Sequence, residues 1–157
     1  MVDAAEVHAA CARLRFAEGL RRRWEEARAE AAVQEASDLA FVEGVRVPVA
    51  ALRELLQERG LGETPTWSPQ EAQALGIWLA TWRLEKALPP LNHPAPASPP
   101  PSPLAMLAAI NRDVCSYLVA TGLLEVDQVS VPGNPRVLQQ VLTIFRDDTT
   151  SALRRAA

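Results

Sequence analysis

The sequence predicts an all-α protein: a helical hairpin or bundle over residues 1–88, a proline-rich linker over 89–103 and a small helical lobe over 104–157. Three observations carry this prediction. Apolar residues recur at helical spacing in one segment after another. The only strand-like run, Val126 to Val131, is too short to build a sheet. Eight of the fifteen residues from Pro89 to Pro103 are proline, a density that permits an extended connector and no packed helix or central strand.

The first element spans Asp3 to Val42, which contains no proline and a single glycine, Gly19. Apolar residues recur at Val7, Cys11, Leu14, Leu20, Trp24, Ala27, Ala31, Leu39 and Val42, the stripe of one long helix or of two helices hinged near Gly19. Arg15, Arg22, Glu25, Glu26 and Glu30 lie opposite, in relations that support a solvated helix face. A second helix follows Pro48, with Val49, Leu52, Leu55 and Leu56 on its apolar face and Gly60 and Gly62 as stops. The third opens on Ser68-Pro69-Gln70-Glu71, a serine cap, a proline at the first helical position and a glutamate at the third. It runs through Leu75, Trp78, Leu79, Trp82 and Leu84 to Leu88, with Trp78 and Trp82 one turn apart as core or as docking surface.

After the linker, Ser102 and Pro103 start a helix carrying Leu104, Leu107, Ile110, Val114 and Leu118, stopped at Thr121-Gly122. A loop with Pro132-Gly133 leads to Asn134-Pro135 and a helix through Val137, Leu138, Val141, Leu142 and Phe145; a last short helix is expected from Ser151 to Ala157.

Composition narrows the function. A formal charge of −3 gives no global attraction to nucleic acid or to an anionic membrane surface. No secretory signal opens the chain and no apolar run approaches the length of a membrane span, so a cytoplasmic protein is expected. Cys11 and Cys115 read as two small buried hydrophobes in a reducing compartment, with a long-range disulfide as the alternative. The seven glycines are scattered as helix stops, without the clustering and following lysine of a phosphate loop. His8 lies on the first helix, three residues from Cys11, and His93 in the proline-rich connector far from both cysteines, so neither an oriented nucleophile–base pair nor a metal site with enough ligands is expected. The chain is read as a non-enzyme with no cofactor.

One stretch poses a specific chemical question. Glu35-Ala36-Ser37-Asp38-Leu39-Ala40-Phe41-Val42-Glu43-Gly44 ends a long helix on an acid, although a helix C-terminus already carries partial negative charge. Gly44 is explained by itself as a left-handed terminator; Glu43 there asks for water or for a cation. This stretch, with Val45-Arg46-Val47-Pro48 and the leucine-rich helix after it, resembles the inhibitory-helix region that precedes the catalytic core in Fic-family adenylyltransferases. The run from Pro103-Leu104-Ala105-Met106-Leu107 to Leu118-Val119-Ala120-Thr121-Gly122-Leu123-Leu124 is similar to the stretch that follows it in degenerate Fic-like proteins of bacteria.

The resemblance touches about half the chain, and Glu43-Gly44 alone carries functional meaning. It implies that Glu43 pairs with an active-site arginine and excludes the productive position of the ATP γ-phosphate, a task suited to a charge-assisted bond. The family places Ser or Thr four residues before the glutamate, where this chain has Leu39, with Ser37 two residues earlier. The family's His-Pro-Phe and Gly-Asn-Gly-Arg catalytic loop is absent from the sequence, so the chain cannot transfer AMP by that mechanism. It is expected to be a detached regulatory part or the front of a longer protein.

The favoured reading is a non-catalytic regulatory or interaction module with a protein partner, either a Fic-type enzyme or a second copy of the chain. Its candidate residues are Glu43, Gly44, Ser37, Trp78 and Trp82. The alternative is a DNA-binding regulator, with Arg13, Arg15, Arg21, Arg22 and Arg23 as phosphate contacts and a helix-turn-helix near residues 49 to 84. Glu25, Glu26 and Glu30 oppose it, and the would-be recognition helix from Pro69 offers only Arg83 and Lys86. A homodimer built on the alanine-rich first stripe is the third possibility.

Overall fold

The computed structural model describes residues 4–58, 66–87, 102–130 and 134–146. Its elements are α1 (Ala4–Phe16), α2 (Glu18–Arg22), α3 (Trp24–Val42), α4 (Val49–Glu58), α5 (Pro69–Ala87), α6 (Pro103–Ala120), a 3-10 turn (Val126–Ser130) and α7 (Pro135–Arg146). The all-α prediction holds. No helix among the described residues is long and apolar enough to cross a membrane. The stops at Gly60 and Gly62, the connector from Leu88 to Pro101, the Pro132-Gly133 loop and the terminal helix from Ser151 lie outside the described residues.

Helix α5 is the centre of the packing, in contact with α3, α4 and α6. Its start is the reciprocal cap that the sequence announces: the Ser68 N–H donates to Glu71 Oε2 at 2.7 Å and the Glu71 N–H to Ser68 Oγ at 3.3 Å. The Ser68 N–H first, and the Ser68 hydroxyl second, hold the Glu71 carboxyl below its usual range. One face of α5 meets α3, where the buried Thr81 hydroxyl donates to the Ala32 carbonyl at 3.2 Å. Further along that face Arg28, stacked on Trp24, donates to the Glu85 carbonyl at 2.6 Å. The other face meets α6. There Gly76 lies so close that a Cβ on it would fall against the Val114 carbonyl, 2.8 Å from its carbon. Arg83 grips Asp113 beside that crossing, Nη2 to Oδ1 at 2.9 Å and Nε to Oδ2. Gly76 is therefore no helix stop; it is a mid-helix residue that lets two backbones approach.

The first forty residues depart from the expected stripe. The helix breaks at Ala17 and again at Arg23, whose φ of −125° and ψ of 33° leave the helical region. Gly19, a poor helix former, sits in the short α2 between the breaks. On α3 the buried positions are Ala32, Val33, Ala36 and Ala40, whereas Leu39 and Val42 face water, as do Cys11 and Leu14 of α1. The alanines win the core because α3 lies close along α5, where a small side chain fits and a leucine would overfill. The stripe offered for a homodimer is not the one that packs: Ala31, Leu39 and Val42 of α3 face water with Cys11 and Leu14 of α1, while the alanines buried within the chain, Ala32, Ala36 and Ala40, lie off that stripe.

Helix α4 behaves as its pattern dictates. Leu52 and Leu55 are buried, and Val49 and Leu56 pack against the same cluster with Val33, Ala36, Val45, Val47, Leu75 and Ile77. Its outer face reaches α3 through an exposed Arg53–Glu30 pair, which contributes little to stability.

Helix α6 starts on the expected cap, Ser102 Oγ accepting from the Ala105 N–H at 3.2 Å with Pro103 at the first position. The Val126 to Val131 region forms the 3-10 turn over Val126–Ser130. Gln128 Oε1 accepts from the Glu125 N–H at 2.9 Å, and Asn111 of α6 donates to the Val129 carbonyl at 2.5 Å, closing a turn where β-branched residues alone would suggest a strand. Asn134 caps α7 through the Val137 N–H at 3.2 Å. Both cysteines are free thiols: Cys11 is exposed, against expectation, and Cys115 is half-buried, its thiol pushed up by burial.

Candidate functional site

The corner that ends α3 is built by three backbone bonds. Glu43 N–H donates to the Leu39 carbonyl at 3.1 Å, Gly44 N–H to Phe41 at 3.1 Å and Val45 N–H to Ala40 at 2.8 Å. Gly44 has φ +81°, the left-handed conformation that such a cap requires and a side chain resists. The chain leaves in extended form, with Val45 and Val47 buried on one side and Arg46 exposed on the other. Ser37 Oγ then donates to the Val47 carbonyl at 3.0 Å, tying the outgoing segment back onto α3. Pro48 accepts from the Leu52 N–H at 2.9 Å and so begins α4. Burial of both valines and of Leu52 makes this corner part of the core, not a loose loop.

On that frame the Glu43 side chain is exposed, with no ion pair among the described residues. Arg46, three residues on, lies over the Phe41 ring at 4.0 Å and does not pair with it. Leu39, one turn earlier on the same helix face, is 44% exposed, and the adjacent Val42 is 77% exposed. The acid therefore stands beside two large apolar side chains facing water, at a helix end whose dipole disfavours it. At the other end of the motif, burial first and the Glu85 carboxylate second push Glu35 above the usual carboxylate range.

The predicted site residues separate by role. Gly44 and Ser37 shape the corner and Glu43 is what it presents. Trp78 is half-buried against the core, and half-buried Trp82 carries Lys86 Nζ at 5.6 Å from its ring centre. Neither indole is a free-standing anchor. Sequence reasoning placed Leu39 and Val42 inside and so missed the apolar flank of Glu43; their spacing from Ala36 and Ala40 was the available signal.

Among the arginines assigned to nucleic acid, Arg13 and Arg22 are exposed and Arg23 is engaged by Glu26, while the side chains of Arg15 and Arg21 lie outside the described residues. The helix given the recognition role, α5, has Ala72, Ala74, Leu75, Gly76, Ile77, Ala80 and Thr81 buried between its neighbours. Its exposed residues, Pro69, Gln70, Arg83, Leu84, Lys86 and Ala87, lie at its two ends, so the middle of the helix assigned the recognition role packs inside the chain. Comparison of the chain with protein-family models, curated proteins and solved structures finds no match.

Proposed function

We propose that the chain is a non-catalytic helical interaction module whose α3 corner delivers the Glu43 carboxylate to a basic, apolar-rimmed pocket on a partner protein. The observation that supports this most is a rigid, core-anchored corner that holds an acid and two large apolar side chains in water at a position where the acid weakens its own helix. A carboxylate flanked by Leu39 and Val42 complements a site that is cationic at its floor and apolar at its edge. The resemblance to the Fic inhibitory helix specifies that floor as an arginine-lined phosphate pocket, where the carboxylate takes the place of a nucleotide oxygen.

The test is an AMP-transfer assay on Fic-type enzymes from the same source, lacking any inhibitory glutamate of their own and titrated with the full chain. Inhibition is expected to weaken by about 10- to 100-fold in apparent affinity for Glu43→Gly, the loss of one charge-assisted pair. Leu39→Ser is expected to weaken it less. Equal inhibition by wild type and Glu43→Gly, or none by either, would contradict the proposal.

A further inference from the structure

A second feature stands apart from the α3 corner. Between the last turns of α5 and the first turns of α6 lies a cleft of about 370 Å³, a volume within the range of small-molecule sites. Leu79, Met106 and Ala109 give it an apolar lining; Arg83, Lys86 and Asp113 give it charge. Asp113 is buried and holds Arg83 by Nε and Nη2, which fixes the guanidinium plane and leaves Nη1 with its two N–H groups to donate. Lys86, one turn along α5, is exposed and has no carboxylate partner among the described residues.

The charge count of this group selects a ligand. Two cations and one anion leave a single positive charge, which matches a monoanion and leaves a dianionic phosphate half uncompensated. The apolar lining asks for a hydrocarbon tail. We infer that this cleft binds an aliphatic monocarboxylate, its head held between Arg83 Nη1 and Lys86 Nζ and its tail against Leu79, Met106 and Ala109. Asp113 is the positioning residue that aims Arg83.

Sodium octanoate is the probe, titrated into the isotope-labelled full chain and followed by amide and methyl NMR shifts, with 1-octanol and octyl phosphate run in parallel. Saturable shifts are expected at Leu79, Met106 and Ala109. Lys86→Met, at an exposed position, is expected to weaken octanoate binding by about tenfold, the loss of one charge-assisted contact. Met106→Trp, which fills the cleft, is expected to abolish binding, with helicity checked by circular dichroism. Absence of saturable shifts, shifts centred elsewhere, 1-octanol binding as tightly as octanoate, tighter binding of octyl phosphate, or unchanged affinity in Lys86→Met would each overturn the assignment. None of these results depends on the role of Glu43.

Discussion

Replacing Gly76 with alanine is expected to lower the stability of the chain by about 3 kcal/mol, which for a protein of this size moves the melting midpoint down by about 6–12 °C. The reason is geometric. The new Cβ would meet the Val114 carbonyl carbon at 2.8 Å and its Cα at 3.1 Å, and these are backbone atoms inside a helix that cannot swing aside as a side-chain tip can. Relief requires α6 to move off α5, and that movement also pulls Asp113 from Arg83. The usual helix-propensity gain of alanine over glycine, about 1 kcal/mol, runs the other way and is too small to compensate. Thermal unfolding followed by circular dichroism measures the difference; a midpoint equal to or above that of the wild type would show that the two helices do not approach so closely.

Leu52→Ala is expected to cost about 2–5 kcal/mol, because the fully buried side chain leaves a cavity among neighbours that relax only in part. Those neighbours are Val45 and Val47 behind the Glu43 corner, and Leu75 and Ile77 on α5. The substitution thus acts on the frame of the candidate site while leaving its surface chemistry untouched. Urea unfolding should show a lower midpoint with an unchanged slope, the sign of lost packing with the same surface exposed on unfolding. A loss below about 1 kcal/mol would mean that α4 is not clamped onto α3 and α5 as described.

Much of this fold is legible in the residues. Helix α4 alternates leucines with polar residues so clearly that its inner face could be named, and the caps at Ser68, Ser102 and Asn134 all form the bonds their positions imply. Helix α3 misleads because alanine serves equally well on a core face and on a surface. The pattern has little contrast, and the large residues Leu39 and Val42 draw the eye to the wrong side. Helix α5 carries apolar residues around most of its circumference since it is buried by α3 and by α6, so periodicity cannot say which face meets which neighbour. Gly76 is invisible for a related reason: a glycine demanded by a close crossing looks, in one dimension, like any weak point in a helix. At the candidate site the Glu43-Gly44 pair and its terminator geometry were readable, but the exposed flank of Leu39 and Val42 depended on a rotation of α3 that only packing decides.

On the proposed function, the Glu43 carboxylate serves another molecule and slightly weakens its own fold. The thermal midpoint of Glu43→Gln tests it most directly, because the exchange keeps the side chain's size and removes only the charge. With no ion pair to it among the described residues and a helix C-terminus against it, removal of that charge should raise stability by about 0.3–1 kcal/mol, or about 1–4 °C. A fall in the midpoint would show that the carboxylate is already satisfied within the chain, and the case for a waiting partner pocket would be lost.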